Sequence, residues 1–322
     1  MRVLVAGATG VVGRQLVPQL IAAGHQVSAI TRSPDKTDSL RAAGADPYVA
    51  DGLDGAAVGE AVALAKPDVI VHEMTAIPAD LNFRKFREAF ATTNKLRTTG
   101  LDHLLAAAQA AGVQRFIAQS FTGFPNMRAG GPVKTENDPL DPNPPAGMRE
   151  TFEALGYLER AVTSASLTGI ALRYGGLYGP GASDVIVRMI RRRQLPIIGG
   201  GTGIWSFLHV ADAAAAAVAA VSHGAPGIYN VCDDEPATVA EWLPVLARCA
   251  GGKPPLRMPG WLGRLVAGDA AVTVMTEARG SSNAKAKREL GWNPIWPSWR
   301  EGFAQGLDQA YPAGHAAQVT GR

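Results

Sequence analysis

Three glycines, Gly7, Gly10 and Gly13, separate the apolar run Val3-Leu4-Val5-Ala6 from an amphipathic stretch that begins at Val11. The pattern predicts a strand, a tight turn and the start of a helix. Gly7 permits the turn, Gly10 lets a pyrophosphate approach the backbone, and Gly13 lets the helix pack closely on the strand. The free N–H groups of the helix start would hold the phosphates. Because the glycines stand in the strand-to-helix context that this mechanism requires, a dinucleotide-binding βαβ unit is expected here.

The rest of the chain repeats that rhythm. Strand-like runs at 2–6, 26–31, 46–50, 68–72, 115–119 and 169–173 alternate with helical patterns at 11–23, 54–65, 91–111 and 149–164. Such alternation predicts an α/β, doubly wound parallel sheet, a Rossmann fold, with helices on both faces. Residues 1–175 are expected to form the nucleotide-binding domain, with 208–231 returning to it, and 176–322 a smaller C-terminal substrate domain. Pro18 should bend the first helix locally, since it removes one backbone hydrogen bond. The stretch 125–145, with six prolines and Gly130-Gly131, is expected to be a loop. It follows the fifth strand at the carboxyl edge where open α/β sheets bind ligands, so it is expected to act as a lid. The residues from Pro312 onward lack periodicity and are expected to fray.

With 322 residues, 47% of them hydrophobic and 18% charged, the chain can bury a full core. A net charge of +3 and one short basic run, Arg191-Arg192-Arg193, argue against nucleic acid as a partner. That run is expected to be a solvated helix end. Two cysteines, Cys232 and Cys249, show no metal-ligand spacing and no disulfide framework, so a reducing cytoplasm and no metal are expected. No apolar run approaches the roughly 18 residues that span a bilayer, and with the first strand starting at Arg2 no signal peptide is expected.

Five separated motifs resemble the extended short-chain dehydrogenase/reductase family, the NAD-dependent epimerases and dehydratases. Gly7, Gly10 and Gly13 match its GxxGxxG fingerprint, and Ala50-Asp51-Gly52-Leu53-Asp54 is similar to the aspartate segment after its third strand. Arg173-Tyr174-Gly175-Gly176-Leu177-Tyr178-Gly179-Pro180, Phe207-Leu208-His209-Val210-Ala211-Asp212 and the closing Ser282 to Pro294 segment resemble three more of its motifs. The resemblance implies a coenzyme held by Gly7, Thr9, Gly10, Val11, Val12, Gly13, Thr31, Arg32, Ser33, Asp51, Gly52, Leu53, Met74, Thr75 and Tyr174. At the end of the second strand NAD-specific members carry an acid, whereas here Thr31-Arg32-Ser33 offers a charge and donors for a 2′-phosphate. NADP(H) is therefore expected over NAD(H).

The family's proton-transfer pair is missing. A lysine one helical turn from a tyrosine favours the phenolate, which is otherwise reached only near pH 10. Registering the helix on Glu159 places Thr151 at the tyrosine position and Leu155 at the lysine position, with outward-facing Thr151 about 120° around the helix from Tyr157. Ser120 is expected to polarise the substrate. The proton could be handled by Glu73, a carboxylate at the sheet edge, by Tyr178, or by water; each of these side chains also has a structural reading, a salt bridge for Glu73 and turn packing for Tyr178. His72 is expected to be structural and Lys134 to be solvated. Asn94 lies too far from Gly100 to match the family's N-x-x-G and is given no role.

Sugar-nucleotide enzymes of the family carry arginine and aspartate where this chain has Trp205 and Ser206. Loss of a phosphate clamp and gain of an indole point to a flat, less charged ligand, although Arg191 to Arg193 could substitute. Phe121, Thr122 and Trp205 are the expected substrate contacts. The expected function is an NADP(H)-dependent oxidoreductase or epimerase/dehydratase-like enzyme acting on a small carbonyl or hydroxyl compound. The alternatives are a non-catalytic NADP(H) sensor or a redox-neutral isomerase or cyclase. The apolar helix pattern at 91–111 also allows a homodimer.

Overall fold

A computed structural model describes residues 1–78 and 83–308 of the chain. The expected fraying from Pro312 lies outside the described residues. Seven strands, β1 (Arg2–Ala6), β2 (Gln26–Thr31), β3 (Asp46–Val49), β4 (Val69–His72), β5 (Arg115–Phe121), β6 (Thr168–Tyr174) and β7 (Gly227–Val231), pair in parallel in the order β7-β6-β5-β4-β1-β2-β3. Period-two alternation sorts their side chains. Val3, Val5, Val69, Val71, Ile170 and Leu172 join the core on one face, while Leu4, Ala6, Ile70, Phe116, Ala118 and Ala171 join the core on the other. Strands apolar on both sides can only be central, and helices cover both faces.

The helices through residue 249, in chain order, are α1 (Gly13–Ala22), α2 (Thr37–Ala42), α3 (Gly55–Ala65), α4 (Phe86–Lys95), α5 (Leu101–Ala110), α6 (Arg149–Thr163), α7 (Asp184–Arg191), α8 (Val210–Ser222) and α9 (Val239–Cys249), of which α7 and α9 pack in the C-terminal part and not on the sheet. Asp54 caps α3 by accepting from the N–H groups of Ala56 and Ala57 at 3.0 and 3.1 Å. The helix expected at 91–111 starts earlier and is interrupted: a π-helical turn, Leu96–Gly100, joins α4 to α5. Strand β7 pairs with β6, and Ala286, Leu290 and Trp292 also belong to the core beneath α1 and α8, so the chain returns to the sheet a second time beyond 231. A separate apolar cluster around Trp242, Trp299, Phe303 and Ile198 fills the C-terminal part.

Two of the family-like segments lock each other. His209 caps α8 through Nδ1, which accepts from Ala211 N–H at 3.1 Å, and Asp212 on the same helix accepts from the N–H groups of Ile295 and Trp296 at 2.7 and 3.1 Å. The Trp292 indole donates to the Asp212 carbonyl at 3.1 Å.

The proline-rich stretch corrects its sequence reading. It is tied down from behind the site, with Val133–Lys134 pairing in parallel with Gly280–Ser281 and Arg128 bonded to Asp141, to Glu277 at 2.6 Å and to the Asn143 carbonyl at 2.7 Å. Glu136 accepts from Asn230 N–H at 2.8 Å. Lys134 is buried, not solvated, and donates to the Ala129 carbonyl at 2.6 Å. So many fixed polar contacts make this stretch a buttress, where composition alone suggested a lid.

The close approach at Gly13 is testable. A Cβ there would lie 2.3 Å from the Gly7 carbonyl oxygen and 2.6 Å from Ala8 backbone, whereas one on Gly59 in α3 meets nothing within 4 Å. Gly13→Ala should lower stability in urea denaturation by about 1–3 kcal/mol through overpacking. Gly59→Ala should raise it by roughly 0.5–1 kcal/mol through helix propensity.

Candidate active site

The chain turns from β1 to the far edge of the sheet and then returns to β4, opening a crevice between the carboxyl ends of β1 and β4. Gly7 sits there at φ +97°, and a Cβ on it would lie 2.6 Å from the Glu73 backbone. Only glycine lets the two strand ends pass so closely. Above them lies a cavity of about 310 Å³ lined by Gly7, Thr9, Gly10, Thr31, Arg32, Ser33, Asp51, Gly52, Leu53, Met74 and Thr75, together with Glu73, Thr92 and Leu96. Gly10 N–H bonds to the Gly7 carbonyl and Arg14 N–H to the Gly10 carbonyl, both at 3.0 Å, which leaves the donors of Val11 to Gly13 at the helix start uncommitted among the described residues. Such a cradle suits a pyrophosphate.

Val11, Val12 and Gly13 follow the lining residue Gly10 directly and offer backbone N–H groups, and Gly13 also serves the helix–strand packing. Tyr174 is not in the wall. It is buried, and its hydroxyl shares its proton between Glu73 Oε1 at 2.9 Å and the Ala213 carbonyl at 3.3 Å, so it is engaged inside the fold behind Glu73.

His72 holds the cavity in shape. Its Nδ1 accepts from Met74 N–H at 3.2 Å and its Nε2 faces the Leu96 carbonyl at 3.3 Å, tying β4 to the π-helical turn. Burial pulls its pKa down to about 4, so it stays neutral. Glu73 is also buried, and desolvation raises its pKa to about 8 against the smaller opposing effect of the Tyr174 hydrogen bond; its Oε2 has no partner. At neutral pH this carboxyl is mostly protonated, so the cavity wall presents an acid without a charge.

Two predicted catalytic side chains lie elsewhere. Ser120 is fully buried and donates to Glu159 Oε1 at 2.7 Å. The same carboxylate is gripped by Arg173 through Nε and Nη2, both at 2.7 Å. Strand alternation explains this, because residue 120 faces α6 while 119 and 121 face the other way. Tyr178 packs edge-on against His209 and Phe303 with its hydroxyl unpartnered, and burial holds its phenol far above the usual range. It is a core residue. Thr151 is buried rather than outward-facing, and its Oγ1 accepts from Asn94 Nδ2 at 3.2 Å; Leu155 is fully buried, and Tyr157 is bonded to Asp102 at 2.6 Å on another face of α6. No phenol and ammonium stand where the usual pair would be.

Beside the first cavity lies a second, of about 290 Å³. The two meet where Ala76 and Leu96 line one and their sequence neighbours Ile77 and Arg97 line the other. Phe121, Thr122 and Trp205, the expected substrate contacts, all form part of this wall. Thr122 is nevertheless occupied, bonded to Asn126 at 3.0 Å and to Ser281 at 2.5 Å. Sequence reasoning missed Phe86 and Phe90, which stack at 4.3 Å, and Phe124, which packs edge-on against Phe86 at 5.9 Å. It also missed Arg97. Counting back three residues from Gly100, where the N-x-x-G motif would place its asparagine, finds Arg97; anchoring on Asn94 hid it.

A model of the NAD dependent epimerase/dehydratase family matches residues 3–232. The chain belongs to that family. A 3-diazoavenalumate denitrifying reductase from a Streptomyces species is 46% identical over 316 residues, covering 95% of this chain and 100% of that protein. A 4-hydroxy-2-methyl-3-oxo-4-farnesyl-3,4-dihydroquinoline-1-oxide ketoreductase from Stigmatella aurantiaca is 27% identical and covers 98% of each chain. Among solved structures, a UDP-glucose 4-epimerase from Thermus thermophilus in complex with NAD aligns with a TM-score of 0.71 at 22% identity, covering 95% of this chain and 98% of that one. The epimerase/dehydratase fold is therefore shared, and these relatives are named as reductases and an epimerase. Among the described residues, no cluster of acidic, histidine and cysteine side chains could hold a metal, and no helix is long and apolar enough to cross a membrane.

Two variants separate structural from chemical roles. Ser120→Ala should cost about 1 kcal/mol of stability while sparing turnover; a fall of about a hundredfold in kcat would restore it to the chemistry. For Glu73, a folded pKa above the ordinary 4.5 means that its contribution to stability is complete below that value and is lost as pH rises through about 8. The charge then appears at the cavity wall. Titrations with NADPH should show affinity falling above pH 8 in the natural protein and staying flat in Glu73→Gln.

Proposed function

We propose that this protein is an NADPH-dependent reductase that replaces the diazo group of a flat aromatic compound by hydrogen. The observation that carries this reading is the pairing of an aromatic-walled cavity with a proton-transfer position filled by buried Thr151 and Leu155. Reduction of a ketone leaves an alkoxide that an acid must meet. Reduction of an aryl diazonium does not: ArN2⁺ and a hydride give ArH and N2, the nitrogen leaving with the electron pair of the C–N bond. Bound in the first cavity, NADPH supplies that hydride.

The residues of the chain do the rest. Gly7, Gly10 and the start of α1 offer a cradle for the pyrophosphate, and Arg32, exposed at the cavity edge with no carboxylate at Thr31 to Ser33, supplies charge for a 2′-phosphate. Phe86, Phe90, Phe121, Phe124 and Trp205 provide ring faces and edges for an aromatic substrate and keep water from it. The relative at 46% identity, named a 3-diazoavenalumate denitrifying reductase, supports the same chemistry. A carbonyl substrate, the first expectation from the sequence, fits the missing acid less well.

The test is consumption of NADPH, followed at the reduced-nicotinamide band, with 3-diazoavenalumate and with a panel of aldehydes, ketones and quinones. One N2 released per NADPH consumed, by mass spectrometry of a ¹⁵N-labelled substrate, is the expected result. Consumption with carbonyls alone would make the protein a carbonyl reductase, and coenzyme binding with no consumption would make it a sensor or a redox-neutral enzyme. Arg32→Ala should weaken NADPH about tenfold and leave NADH unchanged; tenfold tighter NADH binding by the natural protein would end the NADPH assignment.

A further inference from the structure

Arg97 is 4% exposed and is the charged residue in the wall of a cavity lined by the rings of Phe86, Phe90, Phe121, Phe124 and Trp205 and by the uncharged polar residues Gln119, Thr122 and Ser206, among others. Its Nε has no hydrogen-bond partner. Among the described residues the guanidinium enters no ion pair. Glu159, the carboxylate whose field reaches it, is committed through both oxygens to Arg173 and through one of them to Ser120. Burial without a partner is costly for a cation, and here it pulls the guanidinium down to about 10. His72, whose charge would oppose that of Arg97, is held neutral by its own burial.

The backbone is also unusual at this point. Arg97 belongs to the π-helical turn Leu96–Gly100, and such turns concentrate at functional sites because they re-aim side chains within an otherwise regular helix. The turn gives Leu96 to the coenzyme-sized cavity and Arg97 to the aromatic one. Gly100 anchors it, since a Cβ there would lie 3.2 Å from the Gly52 carbonyl oxygen. Arginine stands where the family's N-x-x-G motif has asparagine, so a neutral amide is replaced by a fixed positive charge.

We infer that Arg97 is the specificity-determining residue of the aromatic cavity, and that it selects ligands carrying an anionic oxygen, a carboxylate or a phenolate, on the ring system. This deepens the reading under Proposed function and rests on its aromatic ligand. The planar fork of the guanidinium matches such an oxygen with two parallel donors, and the dry surroundings strengthen the pairing. The partner that the chain withholds from Arg97 arrives with the ligand.

The test measures binding of three non-reducible probes to the NADP⁺-loaded protein by calorimetry: 4-hydroxycinnamate, its methyl ester and its 4-O-methyl ether. The natural protein should bind the parent about 30-fold more tightly than one of the two masked compounds, and the mask that costs affinity identifies the oxygen read by Arg97. A red-shifted absorbance of the bound parent would accompany the phenolate case only. In Arg97→Met the parent should fall to the affinity of the masked compound, while the masked compound binds as before. Arg97→Lys, which keeps the charge and loses the fork, should retain part of the preference.

Equal binding of parent and both masked probes, or an equal loss of all three in Arg97→Met, would overturn the inference. Removal of an unpaired buried charge should leave the melting temperature of Arg97→Met at or above that of the natural protein. Should that variant fail to fold, Arg97→Lys carries the comparison, and an unchanged preference ratio there alongside equal binding of the neutral probes would overturn the inference equally. If the loaded natural protein bound none of the three probes while still binding NADP⁺, the aromatic reading itself would fall and this inference with it.

Discussion

The buried pair of Glu159 and Arg173 organises the region on which the site depends. It joins α6 to β6 by two bonds of 2.7 Å and takes a third from Ser120 on β5, so three elements share one desolvated charge cluster. Breaking such a pair on one side costs about 3–5 kcal/mol, because the surviving charge remains buried. The cluster therefore fixes how α6 lies on the sheet, and with it which residues of α6 approach the crevice. It also engages Ser120, whose fully buried hydroxyl donates to the same carboxylate.

With α6 placed in this way, the position that carries a phenol in ordinary members of the family is occupied by Thr151, itself bonded to Asn94. The space beside it is lined by phenylalanine rings and the Trp205 indole. What the site offers is a coenzyme-sized cavity, an apolar pocket lined by rings and one cation. Glu73 contributes little charge at neutral pH, since burial raises its pKa to about 8 and keeps its carboxyl mostly protonated. Arg97 is the charged group left facing the aromatic cavity. A reaction whose leaving group departs without needing a proton suits these residues better than one that generates an alkoxide.

The C-terminal part holds this arrangement by mutual satisfaction of polar groups. Asp212 on α8 receives backbone donors from residues 295 and 296, and the proline-rich segment is pinned through Arg128 to Glu277, through Glu136 to Asn230 and by the pairing of Val133–Lys134 with Gly280–Ser281. Through these contacts, motifs far apart in the chain meet. The F-x-H-V-x-D segment and the closing segment are two halves of one hydrogen-bonded joint, and neither has its partners without the other.

The sequence by itself determined the parallel sheet, its crevice and most of the lining of the coenzyme-sized cavity. Those features follow from local rules: period-two apolar runs, glycines where a Cβ cannot fit, and a cap such as Asp54 before a helix. It also set Thr151 and Leu155 at the positions where the family resemblance expects tyrosine and lysine, which is a matter of residue identity. Only the tertiary structure decided the direction in which each side chain points and what it meets. Ser120 and Phe121 are neighbours in sequence, yet one faces α6 and the other the aromatic cavity. Lys134 read as solvated because lysine usually is, and the partners that bury it lie in a turn whose shape no local pattern encodes. Arg97 stayed hidden because a π-helical turn breaks the spacing by which helices are read. Its isolation is a property of the space around it, set by Glu159 having already been claimed from another strand.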